Sequence, residues 1–153
     1  MKEKTEAFVN ILNRKARHEY EILDTWKAGI VLQGTEVKSV RRSKVNLQDA
    51  YCQFRNDELF IVNLHISPYA EGSYNNHQPK SDRKLLLKRS ELNKIQDRAK
   101  DQGIAMIPLR LYINDRGLIK VEFGVGRGKK LFDKRDDIKE KDLRREKDRM
   151  QAD

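Results

Sequence analysis

Apolar side chains recur along this chain at every second position in some stretches and at helical spacing in others, and the changes of spacing mark its elements. Residues 19–23 alternate and predict a strand. Residues 26–33 are richer in apolar side chains and predict a second, with Asp24 and Thr25 as a tight connection. Upstream, residues 7–12 predict one short helical turn that leads into the basic run Asn13-Arg14-Lys15-Ala16-Arg17-His18. Gly34 breaks the second strand, and residues 35–42 read as a short helix. Thr35 is placed as its N-cap, and Glu36 in its first turn suits the helix dipole. Val37 and Val40 then face the core while Lys38, Arg41 and Arg42 point outward. Residues 49–54 and 59–65 flank Arg55-Asn56-Asp57-Glu58, a hairpin signature.

Residues 67–82 hold Pro68, Gly72 and Pro79 among polar side chains and form a long loop, a type that is often functional. Residues 84–87 resume as a strand. Ser90 caps a helix running to about Gln102, with Leu92, Ile95 and Ala99 on one face and Gly103 as its stop. Residues 104–113 and 118–125 pair around Asn114-Asp115-Arg116-Gly117. Six or seven short strands with two or three short helices predict a mainly β fold, a small OB-like barrel, closed or partly open. Periodicity alone leaves another small α+β sheet open.

From Gly124 the pattern changes. Gly124-Val125-Gly126-Arg127-Gly128 reads as a glycine hinge, and Lys129, Lys130, Lys134 and Arg135 form a basic knot with Asp133 as its acid. Between 136 and 153 the sizeable apolar side chains are Ile138, Leu143 and Met150, too few to offset the entropy of ordering. The division expected is a barrel domain over 1–127 and a charged tail over 128–153, flexible and disordered alone.

Composition narrows the function. Lys and Arg number 33 against 24 Asp and Glu, a net charge of +9, which favours a polyanionic partner. No apolar run is long enough to cross a membrane, and no signal-peptide core is present. Cys52 is the only cysteine, set in a strand-like stretch as a small core residue. His18, His65 and His77 show no metal-ligand spacing, so neither metal nor cofactor is expected. The glycine run lacks the Ser or Thr of a phosphate loop, since Leu131 and Phe132 follow Lys130. No acid–base or nucleophile constellation makes an enzyme. These features fit a cytoplasmic protein.

Three segments are basic: Arg14, Lys15 and Arg17 with His18; Lys38, Arg41, Arg42 and Lys44; and Arg127, Lys129, Lys130, Lys134 and Arg135. One alone would be an ordinary solvated face. Three around one small barrel, with Tyr20, Tyr69 and Tyr74 available for stacking, point to RNA.

The ordered motifs carry a resemblance. Asn13-Arg14-Lys15-Ala16-Arg17-His18-Glu19-Tyr20, Ala28-Gly29-Ile30-Val31-Leu32, Gly34-Thr35-Glu36-Val37-Lys38-Ser39, His65-Ile66-Ser67-Pro68-Tyr69, Asn76-His77, Arg83-Lys84-Leu85-Leu86-Leu87, Gly128-Lys129-Lys130 and Asp133-Lys134-Arg135 are similar to the bacterial SsrA-binding protein (SmpB) family from about Leu12 to Glu140. The resemblance implies an OB-like barrel that grips the tRNA-like domain of transfer-messenger RNA, as a monomer on that RNA, in the rescue of stalled ribosomes. It implies a tail that engages small-subunit RNA at the decoding centre and the empty message channel. Carried over by residue, it puts His18, Leu86 and Lys120 at RNA-binding positions. The matched motifs and the basic segments add Asn13, Arg14, Lys15, Arg17, Glu36, Lys38, Arg41 and Arg127. Gly128, Lys129, Lys130, Asp133, Lys134, Arg135 and Ile138 fall on the ribosome-engaging tail. Two departures stand out: Lys27 where the family usually has Glu before the Ala-Gly pair, and Lys88 where His is frequent. The rival readings are an RNA-modifying enzyme and a general OB-fold factor for ordinary tRNA or ribosomal RNA.

Overall fold

The computed structural model describes residues 9–69 and 76–128. Their elements are β1 (Asn10–Leu12), α1 (Arg14–Glu19), β2 (Tyr20–Ile30), α2 (Gly34–Arg41), β3 (Val45–Asn46), β4 (Tyr51–Arg55), β5 (Glu58–Val62), β6 (His65–Ile66), β7 (Arg83–Leu86), α3 (Arg89–Ala99), β8 (Ile104–Ile113) and β9 (Ile119–Gly128). Seven strands form one antiparallel sheet in the order β1-β8-β9-β2-β7-β5-β4, and β3 pairs with β6. The sheet curls until β4 lies against β8, without a ladder between them among the described residues, so the barrel is partly open. The mainly β architecture with three short helices agrees with the sequence reading.

Several elements differ from the expected ones. The stretch read as a helical turn is β1, laddered to β8 from Asn10↔Tyr112 to Leu12↔Arg110. The basic run is itself helix α1. The two strands expected at 19–23 and 26–33 are one strand, β2. Asp24 and Thr25 are not a connection: they pair with Val125 and Gly124, and the irregularity is a bulge between Ile22 and Asp24. A bulge adds one residue and reverses the alternation beyond it. Trp26 and Ala28 therefore point into the barrel, while Ile22 and Tyr20, of the same parity, face outward under α1. A second bulge, between Pro108 and Arg110, does the same on β8: Leu111 and Ile113 lie inside, Ile107 and Leu109 outside.

The barrel core gathers Leu59, Ile61, Leu64, Ile66, Leu85, Leu111, Val121 and Phe123, all nearly or fully buried, and Trp26 stacks on Phe123 with centroids 6.0 Å apart. α3 adds Leu92 and Ile95 to it, as its apolar spacing predicts. Cys52 belongs to the same core, where burial pushes its thiol pKa up, so it is a poor nucleophile. Asn56 and Asp57 both take positive φ, 49° and 63°, which matches the twist a two-residue hairpin needs.

The glycine run read as a hinge is strand. β9 continues to Gly128 between β2 and β8. Gly124 and Gly126 allow close approach: a Cβ on Gly124 would stand 2.7 Å from the Asp24 carbonyl oxygen and 2.9 Å from Ile22 Cγ2, and one on Gly126 2.8 Å from the Glu21 oxygen. Gly124→Ala is therefore expected to cost about 1–3 kcal/mol through overpacking against backbone. Gly34→Ala, where a Cβ meets nothing within 4 Å, should stay within about ±0.5 kcal/mol. Thermal melts of the two variants beside the parent check this ranking.

Candidate nucleic-acid interface

α1 is seated on the outer face of the sheet by Ala16, which packs on Ile107 and Leu109 with Tyr20, Ile22 and Ala105 around it. Asn13 is buried and is the N-cap of this helix. Its Oδ1 accepts from the Ala16 amide at 3.2 Å, and its Nδ2 donates to the Pro108 oxygen at 2.9 Å and the Leu47 oxygen at 3.2 Å. Arg14, Lys15, Arg17 and His18 are left exposed around that anchor. His18 sits on a helix, not at the start of a strand as the sequence suggested.

The ladder assembles a second part of the same face. Gly29 is opposite Leu86 on one side and Lys120 on the other; Lys120 is opposite Tyr112, and Tyr112 opposite Asn10. Leu86 is 52% exposed, and with Gly29, Leu118, Ile119 and Lys120 it lines a shallow groove of about 320 Å³. The neighbouring row is Lys27, Glu122 and Arg110, with Arg17 reaching Glu122 from α1. Thus Arg17, Lys120 and Leu86, far apart in sequence, share one surface with α1. Arg110, Tyr112 and Glu122 belong to it as well, and were not picked out from sequence. Arg110 and Tyr112 lie on β8, where the bulge interrupts the alternation, so only register could have found them; the unbroken alternation of β9 could have shown Glu122 beside Lys120.

A separate basic group lies on α2. Lys38, Arg41, Arg42 and Lys44 are exposed, and Lys38 Nζ and Arg42 Cζ stand 5.2 and 4.7 Å from the Tyr69 ring centroid. Arg42 Nη2 also donates to the Tyr69 hydroxyl at 3.3 Å. Arg127 is exposed on the side of β9 that carries Phe123 and Val125, away from α1. Gly128 closes β9 opposite Tyr20. Lys129, Lys130, Asp133, Lys134, Arg135, Ile138 and Tyr74 lie outside the described residues.

Glu36 is 2% exposed, so its side chain offers no surface to RNA. It forms a buried ion pair with Arg83 and accepts from the Gln33 amide at 2.8 Å. Arg83 also donates to the Leu64, Gln78 and Pro79 carbonyls, which fixes the loop after β6. Thr35 is not the N-cap, a position held by Gln33. Its hydroxyl donates to His77 Nδ1 at 2.8 Å, because Nε2–H of that ring donates to the Ile66 carbonyl at 2.9 Å. Asn76 closes the loop neck by accepting from the Tyr69 amide at 3.1 Å and donating to its oxygen at 2.7 Å. Among the described residues no group of three or more His, Cys, Asp or Glu is placed to hold a metal, and no helix is long and apolar enough to cross a membrane.

A family model described as SmpB protein matches residues 10–153 of this chain. The chain belongs to the SmpB protein family. The SsrA-binding protein of Bacteroides thetaiotaomicron is 52% identical over 142 residues, which cover 93% of this chain and 95% of that one. The SsrA-binding protein of Christiangramia forsetii is 48% identical over 143 residues, 94% and 91% of the two chains. That of Desulforudis audaxviator is 52% identical over 134 residues, 88% and 87%. A solved chain, described in terms of tmRNA-SmpB and the center of the bacterial ribosome, superposes with a TM-score of 0.68 at 46% identity, covering 79% of this chain and 85% of that one.

The burial of these residues separates two kinds of substitution. Glu36→Ala leaves Arg83 uncompensated in the interior and should cost about 3–5 kcal/mol. His18→Ala removes only an exposed side chain and should leave the midpoint nearly unchanged. Chemical denaturation of both variants is the check; a comparable loss for His18→Ala would mean that its ring is structural.

Proposed function

We propose that this protein is the RNA-binding adaptor of trans-translation: it binds the tRNA-like domain of transfer-messenger RNA and delivers that RNA to stalled ribosomes. The observation that carries the reading is the family match from residue 10 to the C-terminus, at about half identity to SsrA-binding proteins. The outer face supplies a physical reason. Arg14, Lys15, Arg17, His18 and Lys120 offer cations to phosphates, and Leu86 with Gly29 offers an apolar ledge beside them. Asn13 acts behind that surface by capping α1, and Glu36 acts behind α2 by holding Arg83. Lys38 and Arg41 form a further basic site on α2, and Arg127 another at the end of β9.

In this reading the protein is an adaptor and not an enzyme, needs no cofactor, works in the cytoplasm and is a monomer on its RNA. The division of labour is between the barrel, residues 1–127, and the tail, residues 128–153. Gly128, Lys129, Lys130, Asp133, Lys134, Arg135 and Ile138 serve the ribosome, disordered alone and partly helical at the decoding centre and message channel. Pairs such as Asp137 with Lys141 and Glu140 with Arg144 add a few tenths of a kcal/mol each toward helix.

Sequencing the RNA that copurifies with the protein tests the central claim: transfer-messenger RNA should dominate over bulk tRNA, and an equal mixture would favour a general OB-fold factor. Binding should weaken with salt along a log–log slope reflecting several phosphates, and Lys120→Ala should make that slope shallower by about one contact. Deleting residues 134–153 should leave binding of free transfer-messenger RNA largely intact and abolish tagging of stalled peptides. Tagging by the truncated protein would overturn the two-part scheme.

A further inference from the structure

Glu122 is an acid set into the basic outer face. Its side chain is 16% exposed, and three cations surround it. Lys27 is opposite it on β2 and Arg110 opposite it on β8. Arg110 Nε donates to Glu122 Oε1 at 3.3 Å, and Arg17 Nη2 lies 3.7 Å from the same oxygen. Arg110 in turn lies over the Tyr112 ring, its Cζ 4.0 Å from the centroid. Stability is a weak explanation for the Arg17 pair, because an ion pair with a half-exposed Arg contributes little to folding. Orientation is a stronger one. A long arginine that is already held loses less side-chain entropy when it meets a phosphate or a base. One acid among three cations still leaves the cluster net positive.

We propose that Glu122 is a positioning residue for RNA binding: it fixes Arg17 on α1 and Arg110 on β8 so that two guanidinium groups are preset for the nucleic acid. The inference rests on the outer face being the RNA-binding face. Lys27 stands directly opposite Glu122, on the β2 side of β9, and Arg110 on its β8 side. Glu122 is the cross-strand neighbour of Arg110, close enough to hold it, whereas position 27 is one strand farther away.

The test is a set of binding measurements with full-length protein and a transfer-messenger RNA transcript, made well below the melting temperature. Glu122→Gln should lower the association constant by about tenfold and make the salt slope shallower by about one contact. Arg17→Ala should weaken the parent about tenfold but the Glu122→Gln variant by less than about threefold, since the arginine is no longer held there. Glu122→Lys should be worse than Glu122→Gln, because it places a like charge beside both arginines. Wild-type binding with an unchanged Glu122→Gln variant, or an Arg17→Ala loss of the same size in the parent and in Glu122→Gln, would overturn the positioning role alone. A wild-type protein that does not bind the transcript would take down the functional reading and this inference together.

Discussion

A β-strand has one side-chain period, and β2 has two different things to cover with it. Near Ile30 it must fill the barrel; near Tyr20 it must give α1 a seat. The extra residue at Leu23 reconciles them, and the bulge at Pro108–Arg110 makes the same adjustment on β8. β9 runs between the two without interruption and acts as the fixed reference. Phe123 faces inward along its length, and Gly124 and Gly126 face the adjusted strands. The glycines are what let the bulged backbone approach. With larger side chains there, β2 would be pushed away and the seat under α1 lost.

The position of the outer-face residues follows from that arrangement. Once β2 and β8 are in register on β9, Leu86, Gly29, Lys120 and Tyr112 fall in one row and Lys27, Glu122 and Arg110 in the next. Arg17 joins them because Asn13 caps its helix and Ala16 holds it down. The α2 group is built by other means. There a buried ion pair, Glu36 with Arg83, and the Thr35–His77–Ile66 chain tie the helix to the loop that carries Tyr69. One basic surface depends on strand register and the other on buried polar contacts, so a core substitution that perturbs one need not perturb the other.

Much of this was legible in the residues. The hairpins at Asn56-Asp57 and Asn114–Gly117, the helix with Leu92 and Ile95 inward, and the irregular stretches 67–69 and 76–82 all follow from turn chemistry and spacing. What was missed shares one cause: local patterns were overridden by partners distant in sequence. β2 was divided in two because a bulge breaks its alternation. The basic run 14–18 gave no helical signal because only Ala16 of it is buried. The β9 glycines looked like a hinge because the backbone that needs them lies about a hundred residues earlier. Glu36 is the first-turn acid the sequence suggested, but its buried ion pair went unseen because Arg83 is 47 positions away. For the interface, the individual cations were visible, but their grouping on one face was a property of register alone.

The last residue of β9 has a geometric consequence. Gly128 is opposite Tyr20, the residue that follows α1. The 25 residues beyond Gly128 are thus tethered within a strand's width of the helix that carries His18. Covalent geometry bounds the reach of any such stretch at about 80–90 Å when fully extended. If the barrel is clamped to one RNA, the origin of that reach is fixed, and a second site inside the radius is met at an effective concentration that can reach the millimolar range. The end of β9 thus sets, beside α1, the point from which everything that follows it is measured.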